Sequence, residues 1–319
     1  MLTGLAAASL IPSIGSGRAA PDYPAGVGTI KVIVPFAPGG ASDIVARLLA
    51  DHFDKKWNVT AIVQNVPGAS ATVGIGQVAK GPVDGSEIII LGINFITTQF
   101  IMKSLPYDPE LDITPLTQLT RQANLLCVRK DLPVNSVAEL VAYAKANPGK
   151  LNYASSGLGS PMHLSAELFK KMTGVGMTHV PYSGSAPAQA GLASGDVDLA
   201  FDNVAAIIGL ARGGGVKPLA ITSPERSKLA PEFPAVAETI PGYAIEGWLG
   251  AGVRAGTPKP VCDAIQDAAV EIFKDTATRE RLKKILSEPV GSDSVAFTAF
   301  LAAERARWGA LIKSLDLKT

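Results

Sequence analysis

Only two cysteines and three histidines occur in 319 residues; aromatic side chains make up 6% and charged ones 18%. Each scarcity removes a class of function. Cys127 lies in the apolar run Leu125 to Val128 and Cys262 near the start of a helical pattern, so two buried free thiols are expected rather than a disulfide framework. There is no CxxC or HExxH, and His52, His163 and His179 are too dispersed for a Cys/His zinc site, so no metal is expected. The net charge is +1 and no Lys/Arg cluster occurs, which leaves no electrostatic footprint for nucleic acid or an anionic membrane surface. GxSxG elbows and P-loops are also missing, and GAGVRAG at Gly250 has the wrong spacing for a dinucleotide loop. Neither a cofactor nor a catalytic residue is expected.

Apolar residues are abundant at 47%, enough for a sizeable core, and the length fits one two-lobed body or two domains. The first twenty residues, MLTGLAAASLIPSIGSGRAA, are Ala-rich and end in small residues before Pro21. They read as the tail of a secretory leader over residues 1–22, although no Lys or Arg precedes the apolar part; the alternative is an N-terminal arm. Beyond them no apolar run reaches the roughly twenty residues of a membrane span. The mature protein is therefore expected to be soluble and periplasmic, without membrane insertion.

The chain is organised around Ile30 to Phe53, IKVIVPFAPGGASDIVARLLADHF. An apolar run, a Pro/Gly loop and a helical spacing of Ile44, Val45, Leu48 and Leu49 predict strand, loop, helix. Ser42 and Asp43 are expected to satisfy N–H groups of the first helical turn, and the glycines to leave an electropositive helix start open to a small anion. Further strands are predicted over 58–64, 87–91, 151–154, 197–201 and 217–221, with helices over 73–79, 136–146 (capped by Ser136), from Pro161, over 187–192, 258–273 and 294–315. Leu164, Leu168 and Met172 are the expected buried stripe of the helix after Pro161. Residues 113–130 read as two strand pieces crossing between lobes, and 247–253 as a second crossing containing Trp248, taken as structural. Strands alternating with helices imply a mostly parallel α/β sheet. The loop Ser155-Ser156-Gly157-Leu158-Gly159-Ser160 before Pro161 looks like a second copy of the Gly39-Gly40 unit.

VPFAPGGASDIVARLLA, the Asn-x-Pro-Gly-Ala turn at Asn65, Asp84-Gly85, LPYDPELDITPL, PGKLNYASSGLGSPMHLSAELF, HVPYSGSAPA and GDVDLAFDN follow one another in the order seen in Bug-type extracytoplasmic solute receptors. These are the binding components of tripartite tricarboxylate transporters, and the chain resembles them over nearly everything after Tyr23. Where the family usually has a glycine after the Trp at position 57, this chain has Asn58, which also tolerates positive φ. The resemblance implies a type II-like two-lobed periplasmic binding protein, each lobe a mostly parallel sheet flanked by helices. Lobe 1 would hold 23–124 and 249–319, and lobe 2 would hold 125–248. It implies a monomer that closes on a small carboxylate and delivers it to membrane transporter subunits.

By the same resemblance the ligand meets Phe36, Ala37, Pro38, Gly39, Gly40, Ser42, Asp43 and Asn65 from one jaw. Ser155, Ser156, Gly159, Ser160, His163, Tyr182, Ser183, Gly184 and Asp202 come from the other. Several have a second reading. Asp43 and Asp202 either brace a helix start or orient a water beside the ligand. Asn65 either donates across the cleft or stabilises its turn, His163 either supports its loop or reaches the ligand, and Tyr182 either walls the pocket or packs. Ser160 is expected to cap its helix in any case. Phe36, Ile93, Phe95 and Tyr182 give the region an apolar look that suits an aromatic or aliphatic acid as well as a dicarboxylate. Two other functions stay open at this level: a ligand sensor serving a signalling partner, and an enzyme on the same scaffold.

Overall fold

The computed structural model describes residues 23–314, so the leader expected over 1–22 lies outside the described residues. β1 (Thr29–Val34) enters α1 (Ala41–Trp57), which ends on Asn58 in the left-handed conformation at φ 52°. Asparagine thus does what a glycine would do there. Ile30, Val32, Ile33 and Val34 are fully buried, as in a strand covered on both faces, and α1 turns Val45, Leu48, Leu49 and Phe53 toward it at helical spacing. β2 (Thr60–Asn65), α2 (Thr72–Ala79), β3 (Glu87–Leu91) and α3 (Asn94–Ile101) follow, and β1 pairs in parallel with both β2 and β3.

The segment expected as two pieces is one strand of 17 residues, β4 (Ile113–Arg129). Up to Ala123 it pairs antiparallel with β9 (Glu246–Arg254), which continues the first sheet through β3. From Asn124 onward it pairs antiparallel with β7 (Leu199–Asn203) and β8 (Val216–Ile221) instead. α4 (Val137–Ala146) is capped by the Ser136 hydroxyl, which accepts the Glu139 N–H at 3.1 Å. β5 (Leu151–Ser155), α5 (Pro161–Thr173), β6 (Met177–Pro181), α6 (Ser185–Ser194) and α7 (Val204–Arg212) build the second sheet and its cover. Past β9 come α8 (Lys259–Glu271), α9 (Thr276–Lys284), the short β10 (Glu288–Pro289) and α10 (Ser294–Ser314). The strand order is β2-β1-β3-β9-β4-β7-β5-β6, with β8 and β10 also on β4. This is a mixed α/β architecture whose outer strands are parallel.

Two side-chain expectations are corrected. On α5, Leu164 is buried but Met172 is 38% exposed; the buried face runs through Met162, Leu164, Ala166 and Phe169. Ile93 and Phe95 belong to the hydrophobic core, at 3% and 1% exposure. Trp248 is structural, as expected. Its indole N–H and that of Trp308 both donate to Glu304, at 3.3 and 2.7 Å, and its ring meets Phe297 and Phe300 edge-on, fastening α10 to β9. Cys127, buried, and Cys262, half-buried, are free thiols.

The pairing fixes where the loops go. β4 runs in the direction of β1 and β3, because it is antiparallel to β9 and β9 is antiparallel to β3. β5, β6 and β7 run the opposite way. The C-terminal ends of the parallel strands in the two sheets therefore face each other. Leu91 at the end of β3 is level with Gln118 of β4 through Gly250, and Asn203 at the end of β7 is level with Asn124. Those two β4 positions are separated by roughly 20 Å at the usual rise of a strand. Into that gap project the loops that follow β1, β2 and β3 from one side, and from the other the loops that follow β5 and β6 and the start of α7 directly after β7.

Candidate functional site

On the first jaw, Pro35 to Gly40 connect β1 to α1, with Ala37 to Gly40 exposed and Phe36 half-buried. The N-cap of α1 is Gly40, and no side chain caps this helix start. Ser42 and Asp43 do not act as the caps expected of them. Asp43, 4% exposed, reaches backward instead and accepts the Gly39 N–H at 3.1 Å. Its carboxylate also takes both Arg47 donors, at 2.9 and 3.1 Å, and the Asn65 amide at 3.1 Å. Burial opposes ionisation of Asp43, but the hydrogen bonds from Arg47, Gly39 and Asn65 outweigh it and hold the carboxyl below its ordinary range.

Asn65 completes the brace. Its amide nitrogen donates to Phe36 carbonyl oxygen and Asp43 carboxylate, both at 3.1 Å, so its N–H groups serve their own jaw and do not cross the cleft. The Gly39 N–H is likewise turned inward, whereas the first-turn amides of α1 stay free of any side-chain cap. Replacing Asp43 with alanine would leave Gly39 and Asn65 donors unpaired; a loss of about 2 kcal/mol of stability is expected, measured by urea denaturation. Arg47→Ala, at a half-exposed partner, should cost under about 1 kcal/mol.

The second jaw departs from the expectation that its Ser155–Ser160 loop copies the first. Here Ser160 does cap α5, accepting the His163 N–H at 3.3 Å, and Pro161 occupies the first turn. The loop's amides are largely spent within it. Gly157 donates to Ser155 Oγ at 3.1 Å, Gly159 to His163 Nδ1 at 3.1 Å and Ser160 to Gly157 carbonyl oxygen at 3.3 Å. Ser155 is fully buried and His163 is 1% exposed, and each accepts from an amide of the loop itself. Ser156 remains half-buried on the open side.

The counterpart of the Gly40 helix start is α6. Its N-cap is Gly184, again with no side-chain cap, and an added Cβ would meet nothing within 4 Å at either Gly40 or Gly184. Asp202, 1% exposed at the end of β7, braces this start from below by accepting from Ser185 Oγ at 2.5 Å and Gln189 Nε2 at 2.6 Å, and it also takes the Asn203 N–H at 2.8 Å. Burial pushes the Asp202 carboxyl up, and those three bonds pull partly back. Asp43 and Asp202 thus play matching parts beneath two bare helix starts. Tyr182 is half-buried and its hydroxyl end lies against the backbone of α6 at Gly191, where a Cβ would come within 2.3 Å of the oxygen.

The jaws touch. Gly159 sits at φ 71°, and a Cβ on it would lie 2.2 Å from Cδ1 of Ile101, the last residue of α3 on the opposite side. Ile101 carries no signal in the sequence because α3, NFITTQFI, is only eight residues long and buries Thr97 and Thr98 along with Phe95, Ile96 and Ile101, so no clean apolar stripe marks its inner face. A second unforeseen feature is the loop after β2: Gly68, Ala69, Ser70 and Ala71 all have positive φ, from 42° to 142°. Their small side chains were the available signal, since left-handed backbone disfavours bulk. This loop brings left-handed non-glycine backbone, at Ala69, Ser70 and Ala71, to the same rim.

A bare helix start on each side of a strand-end gap is a geometry for holding an anion. The sequence model described as tripartite tricarboxylate transporter family receptor matches residues 45–317. Protein BugT of Bordetella pertussis is 30% identical, the match covering 95% of this chain and 94% of BugT. Among solved structures, Rhodopseudomonas palustris Rpa4515 with adipate is 37% identical with a TM-score of 0.83, covering 89% of this chain and 96% of that one. MatC (Rpa3494) from Rhodopseudomonas palustris with bound malate is 30% identical with a TM-score of 0.78, covering 89% and 98%. No helix among the described residues is long and apolar enough to cross a membrane. With sequence agreement along almost the whole chain and the same fold around the opposed loops, this protein belongs to the tripartite tricarboxylate transporter receptor family, the Bug-type solute-binding proteins.

Proposed function

We propose that the protein is a periplasmic receptor that captures a small carboxylate between lobe 1 (23–124 and 249–319) and lobe 2 (125–248). It hands that ligand, chemically unchanged, to a tripartite tricarboxylate-type membrane transporter, acting as a monomer without metal or cofactor. The observation that carries this reading is the pair of uncapped helix starts at Gly40 and Gly184, each braced from beneath by a buried aspartate. Helix N-termini favour negative charge through their free N–H groups and their dipole. Phe36, Ala37, Pro38, Ser42, Ser156, Tyr182 and Ser183 surround the two starts in this reading, while Asn65, Ser155, Ser160 and His163 hold the loops in shape. Adipate in one relative and malate in another support an aliphatic dicarboxylate as the ligand class.

Four charge-assisted hydrogen bonds at about 1.5–3 kcal/mol each total about 6–12 kcal/mol, and two helix dipoles add about 0.3–1 kcal/mol each, which at the upper end exceeds the roughly 8 kcal/mol of micromolar binding before costs are counted. Immobilising the ligand and closing two lobes subtract several kcal/mol, so a micromolar Kd is expected. Thermal-shift screening of a carboxylic acid panel tests the reading. An acid should raise the melting temperature and be recovered intact after incubation; conversion of the acid to another compound would favour an enzyme instead.

A further inference from the structure

Behind the second jaw's loop stand two imidazoles. His163 of α5 and His179 of β6 stack with ring centroids 4.2 Å apart and planes at 28°, and Tyr153 of β5 stacks on His179 at 5.0 Å. Each ring presents a nitrogen toward the loop. Nδ1 of His163 takes the Gly159 N–H at 3.1 Å and is therefore unprotonated. Nε2 of His179 lies 2.6 Å from Ser155 Oγ. The same Ser155 oxygen accepts the Gly157 N–H at 3.1 Å. One glycine amide of the loop is thus set directly by an imidazole nitrogen, and the other by a hydroxyl that rests on the second ring. One of those glycines is the residue that meets Ile101 from the opposite jaw.

The surroundings favour the neutral rings. The charged groups that act on the pair are Glu167 and Lys170 of α5, and Glu167 is already engaged by Lys170 Nζ at 2.6 Å and by the Tyr153 hydroxyl at 2.5 Å. No unpaired carboxylate therefore stands ready to hold an imidazolium among the described residues. Two imidazolium charges at stacking distance would also repel.

We propose that His163 and His179 are positioning residues whose neutral rings hold the Gly157–Gly159 loop in its capturing shape. Gain of a proton at Nδ1 of His163 removes the acceptor of the Gly159 N–H and releases that loop, making carboxylate capture proton-sensitive. The proposal deepens the receptor reading and rests on it for its effect on capture. Its direction follows from the chemistry. Burial, and then the neighbouring His179, push His163 down to about 4, while a ring freed with the loop returns toward 6.5. Between those values the released loop binds more protons than the ordered one. Lowering the pH therefore favours release: capture is complete above about 6.5 and is lost as the pH falls toward 4. Burial pushes His179 down as well, so it acts in the same direction.

The test compares the wild type with His163→Asn/His179→Gln, whose side-chain oxygens can accept the same bonds without titrating, and with His163→Phe, which cannot accept. Calorimetric titration with adipate at pH 7.5 and 5.0 should show the wild type losing at least about fivefold more affinity on acidification than the double variant, since ligand protonation is common to both. His163→Phe should be weaker by about tenfold at both pH values. Parallel pH profiles for wild type and double variant would overturn the proposal. Amide hydrogen exchange at Gly157 and Gly159 in the protein without adipate, corrected for the intrinsic effect of pH, supplies a readout independent of binding. It should accelerate in acid only when the imidazoles are present, and equal acceleration in the double variant would also overturn the proposal. Failure of the wild type to bind adipate at pH 7.5 would count against adipate as the ligand, the acid panel would then decide the receptor reading, and the exchange measurement would still decide whether the imidazoles hold the loop.

Discussion

A leucine at position 40 is expected to lower carboxylate affinity at least about a hundredfold while leaving the melting temperature within a few degrees of the wild type. Gly40 has φ −80° and ψ 174°, an extended conformation open to any residue, and a Cβ there meets no atom within 4 Å. The substitution thus strains neither backbone nor packing. A leucine is a poorer N-cap than glycine by up to about 1 kcal/mol, partly offset by the reduced freedom of the unfolded chain. Its side chain would occupy the space over the first-turn N–H groups of α1. Losing two charge-assisted hydrogen bonds removes at least about 3 kcal/mol of binding, which is the hundredfold effect. Gly184→Leu should behave alike on α6, where the Cβ space is equally empty. Calorimetry and thermal melts on the two variants check both halves of the claim. Undiminished affinity in either would remove that helix start from the site.

Gly159→Val has a different signature because it damages closure and loop shape together. Its φ of 71° costs a branched residue about 1–3 kcal/mol, and the new Cβ would drive into Ile101 at 2.2 Å. The terminal methyl of Ile101 can swing, but Ile101 is only 7% exposed, so the displacement is passed to its neighbours. Expected are a stability loss of about 2–3 kcal/mol and an affinity loss of at least about thirtyfold. Trimming the opposing residue separates the two causes. Ile101→Ala in the Gly159→Ala background should recover part of the affinity relieved of steric conflict, while the backbone strain at 159 persists. Urea denaturation beside calorimetry provides the comparison; full recovery would assign the whole effect to the contact between jaws.

Much of this architecture can be read from residues that act locally. Ser136 and Ser160 announce their helices because an N-cap needs only a hydroxyl three residues before the amide it serves, and Asn58 marks a helix end because its side chain tolerates left-handed backbone. Elements without a local pattern stay hidden. α7 starts directly after β7 with Asn203 as its cap, so no turn sequence separates strand from helix. α9, TATRERLKK, buries only Thr278 and Leu282 and shows almost no apolar face.

The site divides along the same line. That Gly40 opens a helix is legible, since strand, loop and helix adjoin in the chain. The brace beneath it is not, because Asp43 meets Asn65 only when β1 and β2 pair in register. Likewise the Ser155–Ser160 loop resembles the first jaw's loop in composition, yet its amides turn inward on His163 and Ser155. The bare helix start falls one strand later, at Gly184, which the family resemblance already places beside the ligand with Tyr182 and Ser183. Which of two similar loops keeps its donors free depends on side chains that reach it from other strands.

Calorimetric titration of acids against their neutral amides tests the central claim most directly, with adipate, malate and benzoate as the acids and the corresponding amides as partners of the same shape. At pH 7.5 at least one acid should bind with a Kd near micromolar, and its amide should be at least about a hundredfold weaker, because the opposed N–H groups act on a negative charge. An amide that binds as tightly as its acid, or a panel in which no acid binds, would contradict the account.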